Sequence, residues 1–159
     1  MPVAQTNTDP RKSKLAGQLA TFYVDDHLFG VNVLSVQEVL RFQHMTPVPR
    51  SADVIEGLIN LRGQIVTALD MRKRLRLPPR KDNVTPMNVV IRSTEGAVSL
   101  LVDEIGDVLQ VEEANYEHPP DNLDHDTRSI VKSVYKLKDR LLLVLDEERT
   151  VDLVTDKSN

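Results

Sequence analysis

The segment "HPPDNLDHD", His118 to Asp126, sets two histidines and three aspartates close together in the chain. Imidazole and carboxylate are groups a divalent cation accepts as ligands, so His118, Asp121, Asp124, His125 and Asp126 are the side chains here with metal-binding character. Pro, Asn and Asp are equally the residues from which solvated loops are built, and the loop is the preferred reading. Neither a metal nor a cofactor is expected. No Gly-rich phosphate loop, G-x-S-x-G elbow or H-E-x-x-H helix is present, and six glycines leave little scope for an unusual one. With no catalytic residue to assign, the chain is expected not to be an enzyme.

The run "MRKRLRLPPRK" gathers Arg72, Lys73, Arg74, Arg76, Arg80 and Lys81, cations of the kind that grip phosphates. No aromatic is interleaved for base stacking, and the net charge is −4, so no global positive field attracts nucleic acid. A nucleic-acid-binding double barrel using segment 72–81 is therefore the alternative function. The preferred reading is a short helix facing solvent with its cations near the C-terminal end of the dipole.

Three further positions carry two readings each. Ser35 followed by Glu38 fits a capping box, yet Glu38 beside Val36 can equally face a partner. Gly57 reads as a bulge or a close approach of backbone in a strand. Arg62, at a turn between two apolar runs, is either a solvated turn residue or an interface anchor, because a guanidinium is weakly hydrated and meets carboxylates bidentately.

The elements that must hold these residues are short. Ala20, Phe22 and Val24 alternate, then Phe29, Val31 and Val33, with Asp25, Asp26 and His27 between: a β-hairpin over 19–33. "SVQEVLR" predicts one or two helical turns opened by Ser35. Pro47 and Pro49 make a loop, after which Val54 to Leu61 and Gln64 to Leu69 form a second hairpin around Arg62 and Gly63. Asp70 is placed to cap a helix over "MRKRLRL". The second half then repeats the first. "FGVNVLSVQEVL" (Phe29 to Leu40) lies without gaps on "VSLLVDEIGDVL" (Val98 to Leu109), and "IVTALD" (Ile65 to Asp70) lies on "LLLVLD" (Leu141 to Asp146).

Many short strands with few helices predict closed barrels, since closure removes exposed edges. The expected fold class is all-β: two SH3-like five-stranded barrels with short connecting helices. Residues 1–17 are read as a flexible tail, 18–80 as the first barrel, 81–87 as a linker, 88–152 as the second barrel and 153–159 as a C-terminal tail. With 40% hydrophobic residues and no cysteine, the 159-residue chain should fold in water in a reducing compartment, by default the cytoplasm. No apolar run approaches the length of a membrane-spanning helix.

"FGVNVLSVQEVLRF", "VPRSADVIEGLINLRGQIVTALDMRKRL", "LLVDEIGDVLQV" and "KLKDRLLLVLD" together resemble the CheW-type coupling proteins of chemotaxis, from about Gln18 to Asp152. The resemblance implies a cytoplasmic adaptor recruited to membrane-bound receptor arrays, linking methyl-accepting chemoreceptors to the histidine kinase CheA. It implies one barrel against the kinase's regulatory domain and a groove between barrels for the receptor's helical tip. By the same resemblance Val36 and Gly57 are assigned mainly to kinase binding, and Glu38, Arg62 and Val108 mainly to receptor binding. The chain departs from the family at Ala52 and Thr67, where proline is frequent, and near Ser133, where glycine is usual.

Overall fold

The computed structural model describes residues 15–155, whose backbone runs through eleven strands, two 3-10 turns and three short helices. Strands β1 (Leu15–Val24) and β2 (His27–Asn32) form the expected hairpin about Asp25 and Asp26. Strands β4 (Ile55–Leu61) and β5 (Gln64–Asp70) form the second, and Asp70 caps α1 (Met71–Arg74) by accepting from Arg72 N at 3.1 Å. Later in the chain come β6 (Met87–Ser93), β7 (Gly96–Val102), β8 (Glu104–Glu112), β9 (Tyr116–Glu117), α2 (His125–Arg128), β10 (Val131–Lys136), β11 (Leu141–Leu145) and α3 (Glu147–Thr155).

"SVQEVLR" is not a helix. A 3-10 turn over Val33–Ser35 is capped by Asn32, whose Oδ1 accepts from Leu34 N at 2.8 Å, and Val36–Leu40 is strand β3 paired with β6. Ser35 therefore does not cap, because Asn32 has already turned the chain, and β-branched Val36 and Val39 favour the extended backbone.

The strands form two sheets, one in the order β8-β1-β2-β11-β10-β9 and the other β3-β6-β7-β5-β4. The sheets do not divide the chain at 81–87. β3 leaves the six-stranded sheet's hairpin to join the five-stranded sheet, and β8 makes the reverse exchange. Asp103 alone separates β7 from β8, too short a link for a hairpin, so the chain must run on into the neighbouring sheet. The expected barrels over 18–80 and 88–152 are thus replaced by two interleaved ones. The internal repeat is the trace of this exchange: its first stretch covers β2 with β3 and β7 with β8. The parallel pairs agree to the residue, Leu143 opposite Phe29 in one sheet and Thr67 opposite Val98 in the other, positions the repeat superposes.

Each sheet is closed by the chain that follows its edge strand. Thr46, beyond β3, bridges to Leu58 of β4 with N–H···O bonds of 2.9 and 2.8 Å, and β9, beyond β8, pairs with β10. Inside the six-stranded barrel lie Leu19, Leu28, Val111, Leu142 and Val144; inside the other lie Ile59, Leu61, Val66, Ala68 and Val90. A third, larger core joins the two, with Phe22, Phe29 and Val31 meeting Leu69, Ile91 and Leu100. Strands such as β2 are buried on both faces, and each fully buried Leu, Ile or Phe contributes about 1.5–3 kcal/mol. The described elements reach further towards both ends than expected. Residues 1–14 and 156–159 lie outside the described residues, but 15–17 already belong to β1, with Gly17 opposite Val111, and 153–155 continue α3.

Candidate functional site

The turn after β4 is a two-residue loop with Arg62 at φ 51° and Gly63 at φ 88°, left-handed at both positions, which suits the twist of a tight hairpin. Asn60 Oδ1 accepts from Gly63 N at 3.0 Å and fixes it. Thus displayed, the Arg62 side chain is 74% exposed and its Nη2 donates to Glu38 Oε2 of β3, whose side chain is only 18% exposed. The hydrogen bond from Arg62 holds the Glu38 carboxyl below the usual carboxylate range and in turn raises the guanidinium's pKa. Beside them Gln37 Nε2 donates to Gln64 Oε1 at 3.1 Å. The two edges of the five-stranded barrel are therefore joined at the surface by a polar seam of Gln37, Glu38, Arg62 and Gln64.

Other candidate residues are placed differently. Val36 is half-buried against the shared core, and a bulge between it and Glu38 breaks the alternation of β3. Gly57 is buried at a bulge in β4, where a Cβ would stand 2.7 Å from Thr46 O and 3.0 Å from Met45 Cβ. A side chain added there would press on the 45–46 segment. Val108 lies on β8 of the other barrel, opposite Ala20 and 57% exposed. Glu38 and Arg62 are brought together, while Gly57 and Val108 stand apart from them. Leu34 and Ile65, both largely exposed, are absorbed into apolar runs when the chain is read as sequence; the period-two pattern that buries Val66 and Ala68 is the signal that turns Ile65 outward.

Four cations of the basic run are held by acceptors within the fold. Arg72 and Arg80 converge on Asp103, Arg74 donates to the carbonyls of Thr150 and Arg149 at 3.2 and 3.0 Å, and Lys73 lies 3.4 Å from Glu56. Burial pushes the Arg74 pKa down. Acceptors from other elements draw Arg72, Arg74 and Arg80 inward, which the expected solvent-facing helix does not describe, while Arg76 stays 82% exposed. In the "HPPDNLDHD" segment, Asp124 accepts from Thr127 Oγ1 at 2.8 Å as the cap of α2, and Asp126 pairs with Arg76 at 3.7 Å. Among the described residues no three His, Cys, Asp or Glu side chains gather as a metal site would require. Nor is any described helix long and apolar enough to cross a membrane.

The model of the CheW-like domain matches residues 18–154. The chain belongs to the CheW-like domain family. Among its relatives, the chemotaxis protein CheW of Bacillus subtilis is 30% identical over 145 residues, covering 91% of this chain and 93% of the relative. The chemotaxis protein CheW of Rhizobium meliloti is 28% identical over 141 residues, covering 89% and 91%. In fold, this CheW-like chain is similar to the crystal structure of the scaffolding protein TtCheW from Thermoanaerobacter tengcongensis, with a TM-score of 0.72 at 24% identity, over 85% of this chain and 90% of that one. The expected all-β double barrel of SH3-like type is the fold of this CheW-like chain.

Proposed function

We propose that the chain is a non-catalytic coupling adaptor of chemotaxis-type signalling, holding methyl-accepting chemoreceptors and the histidine kinase CheA in register at cytoplasmic receptor arrays. The observation that carries this reading is membership of the CheW-like family over residues 18–154, in a chain that covers nearly the whole length of its CheW relatives. Arg62 and Glu38, with exposed Ile65 beside the turn, supply a surface of one cation, one anion and aliphatic area. The receptor tip is assigned to Glu38, Arg62 and Val108. The regulatory domain of CheA is assigned to the region of Val36 and to the 45–46 segment that Gly57 supports. Contacts made by aliphatic side chains and arginine give moderate affinity, which assembly into arrays multiplies.

Arg62→Glu tests the assignment. A largely exposed turn side chain tolerates the change, so the circular dichroism spectrum stays that of the parent. Repulsion from Glu38 and loss of the guanidinium weaken co-sedimentation with receptor-bearing membranes. Undiminished co-sedimentation removes Arg62 from the receptor surface, and failure of the parent chain to bind both receptor membranes and the kinase's regulatory domain rejects the adaptor reading.

A further inference from the structure

Asp103 is the single residue between β7 of the five-stranded sheet and β8 of the six-stranded sheet. Donors from three parts of the fold meet on its carboxylate. The backbone N–H of Asp25, in the β1–β2 turn, donates to Oδ2 at 2.7 Å. Arg72, on α1, donates through Nε to Oδ1 at 3.0 Å and through Nη2 to Oδ2 at 2.8 Å. Arg80, in the segment leading to β6, donates through Nε to Oδ1 at 2.7 Å. Roughly four lone-pair positions of a carboxylate are thereby filled. The two arginines are themselves held, Arg72 Nη1 by Pro78 O at 2.8 Å and Arg80 Nη2 by Asp70 Oδ1 at 3.3 Å.

The other crossover, Val33–Ser35, has a weaker clamp. Arg92 Nη1 donates to the carbonyls of Leu34 and Val36 at 3.1 and 3.2 Å, both exposed bonds. Between the barrels lies the shared apolar core, and apolar contact is non-directional: it sets how close the barrels sit but permits sliding and rotation. Charge-assisted bidentate bonds are directional. The Asp103 cluster touches both sheets and the segment connecting them, and it stands at the residue where the chain crosses over.

We propose that Asp103, clamped by Arg72, Arg80 and the Asp25 amide, is the positioning residue that fixes the angle between the two barrels and so presets the surface met by any partner touching both. The angle is measurable whatever that partner is, so the test stands apart from the functional reading.

The chain has no cysteine, so two can be introduced cleanly. Glu95→Cys and Lys138→Cys, at exposed turns of opposite sheets, carry nitroxide labels for double electron–electron resonance. The parent background gives one narrow distance distribution. Adding Asp103→Asn broadens or shifts it, because a neutral amide offers one acceptor oxygen to four donors. Val134→Ala, which thins the shared core without touching the cluster, leaves the distribution narrow. A distribution for Asp103→Asn with the parent's width and mean distance, or a change matched by Val134→Ala, overturns the proposal. If Asp103→Asn does not fold, Arg80→Gln is the readable variant; it removes one clamp and leaves Arg72 in place. Its distribution broadens in the same sense, and an unchanged one rejects the positioning role.

Discussion

Gly57 shows how a surface effect can arise from a residue with no surface. Its φ of 157° lies outside the range side chains favour, and an added Cβ would meet the Thr46 carbonyl oxygen at 2.7 Å. Since Thr46 closes the barrel through its two bonds with Leu58, Gly57→Ala is expected to destabilise the fold by about 1–3 kcal/mol and to loosen the 45–46 segment. Urea unfolding measures the first, and loss of amide protection at Leu58 the second; a variant as stable as the parent contradicts it. The bulge at Gly57 is legible in the chain because a lone glycine weakens an apolar strand unless the backbone bends or is closely approached there. The pairing of Arg62 with Glu38 is not legible. Each stands out separately, but only closure of the barrel brings a turn and a distant strand together, and no local pattern records that. At Ser133, which the repeat places where Gly57 stands, the strand register also shifts, but without the positive φ that Gly57 adopts, so serine can hold this position.

At the scale of elements, the hairpins and the caps are readable from short-range chemistry, and Asp70 capping α1 is the clearest case. The predicted helix at Ser35 fails because two cap signals compete there, and the spacing of Ser35 and Glu38 carries no information about Asn32 winning the turn. The basic run misleads for a related reason: its arginines are bound by acceptors far along the chain, Asp103 foremost. Burial raises the Asp103 pKa, but hydrogen bonds from Arg72, the Asp25 amide and Arg80 outweigh it and lower the value from 3.8 to about 2. A carboxyl whose pKa is depressed by folding adds stability above its unfolded value and loses it as pH falls through the folded one. Asp103 thus contributes fully above about pH 4, and its contribution disappears as the pH approaches about 2. Urea titrations across that interval are expected to show the parent losing stability more steeply than Asp103→Asn; parallel curves would remove the cluster from the acid response.

For the whole molecule, the interleaving of the two barrels makes a prediction that consecutive halves would not. Composition and period-two runs reveal an all-β chain, and the repeat reveals two related units, because identical local patterning needs only neighbours in sequence. Which sheet each strand joins is decided by link length and by the shared core, so the exchange of β3 and β8 is hidden. The segment 15–84 contains β1 and β2 without β8, β10 and β11, and it contains β3, β4 and β5 without β6 and β7. In neither sheet is the set complete, and β2 would expose an apolar face whose partner, β11, is on the other piece. Fragments 1–84 and 85–159 are therefore expected to lack cooperative thermal unfolding when separate and to regain it when mixed in equal amounts, since every strand then finds its neighbour. Circular dichroism melting of each fragment and of the mixture reads this directly. A cooperative transition in fragment 1–84 alone would mean that the first half can re-form a barrel from its own strands, and that the two-barrel core is not the unit that folds.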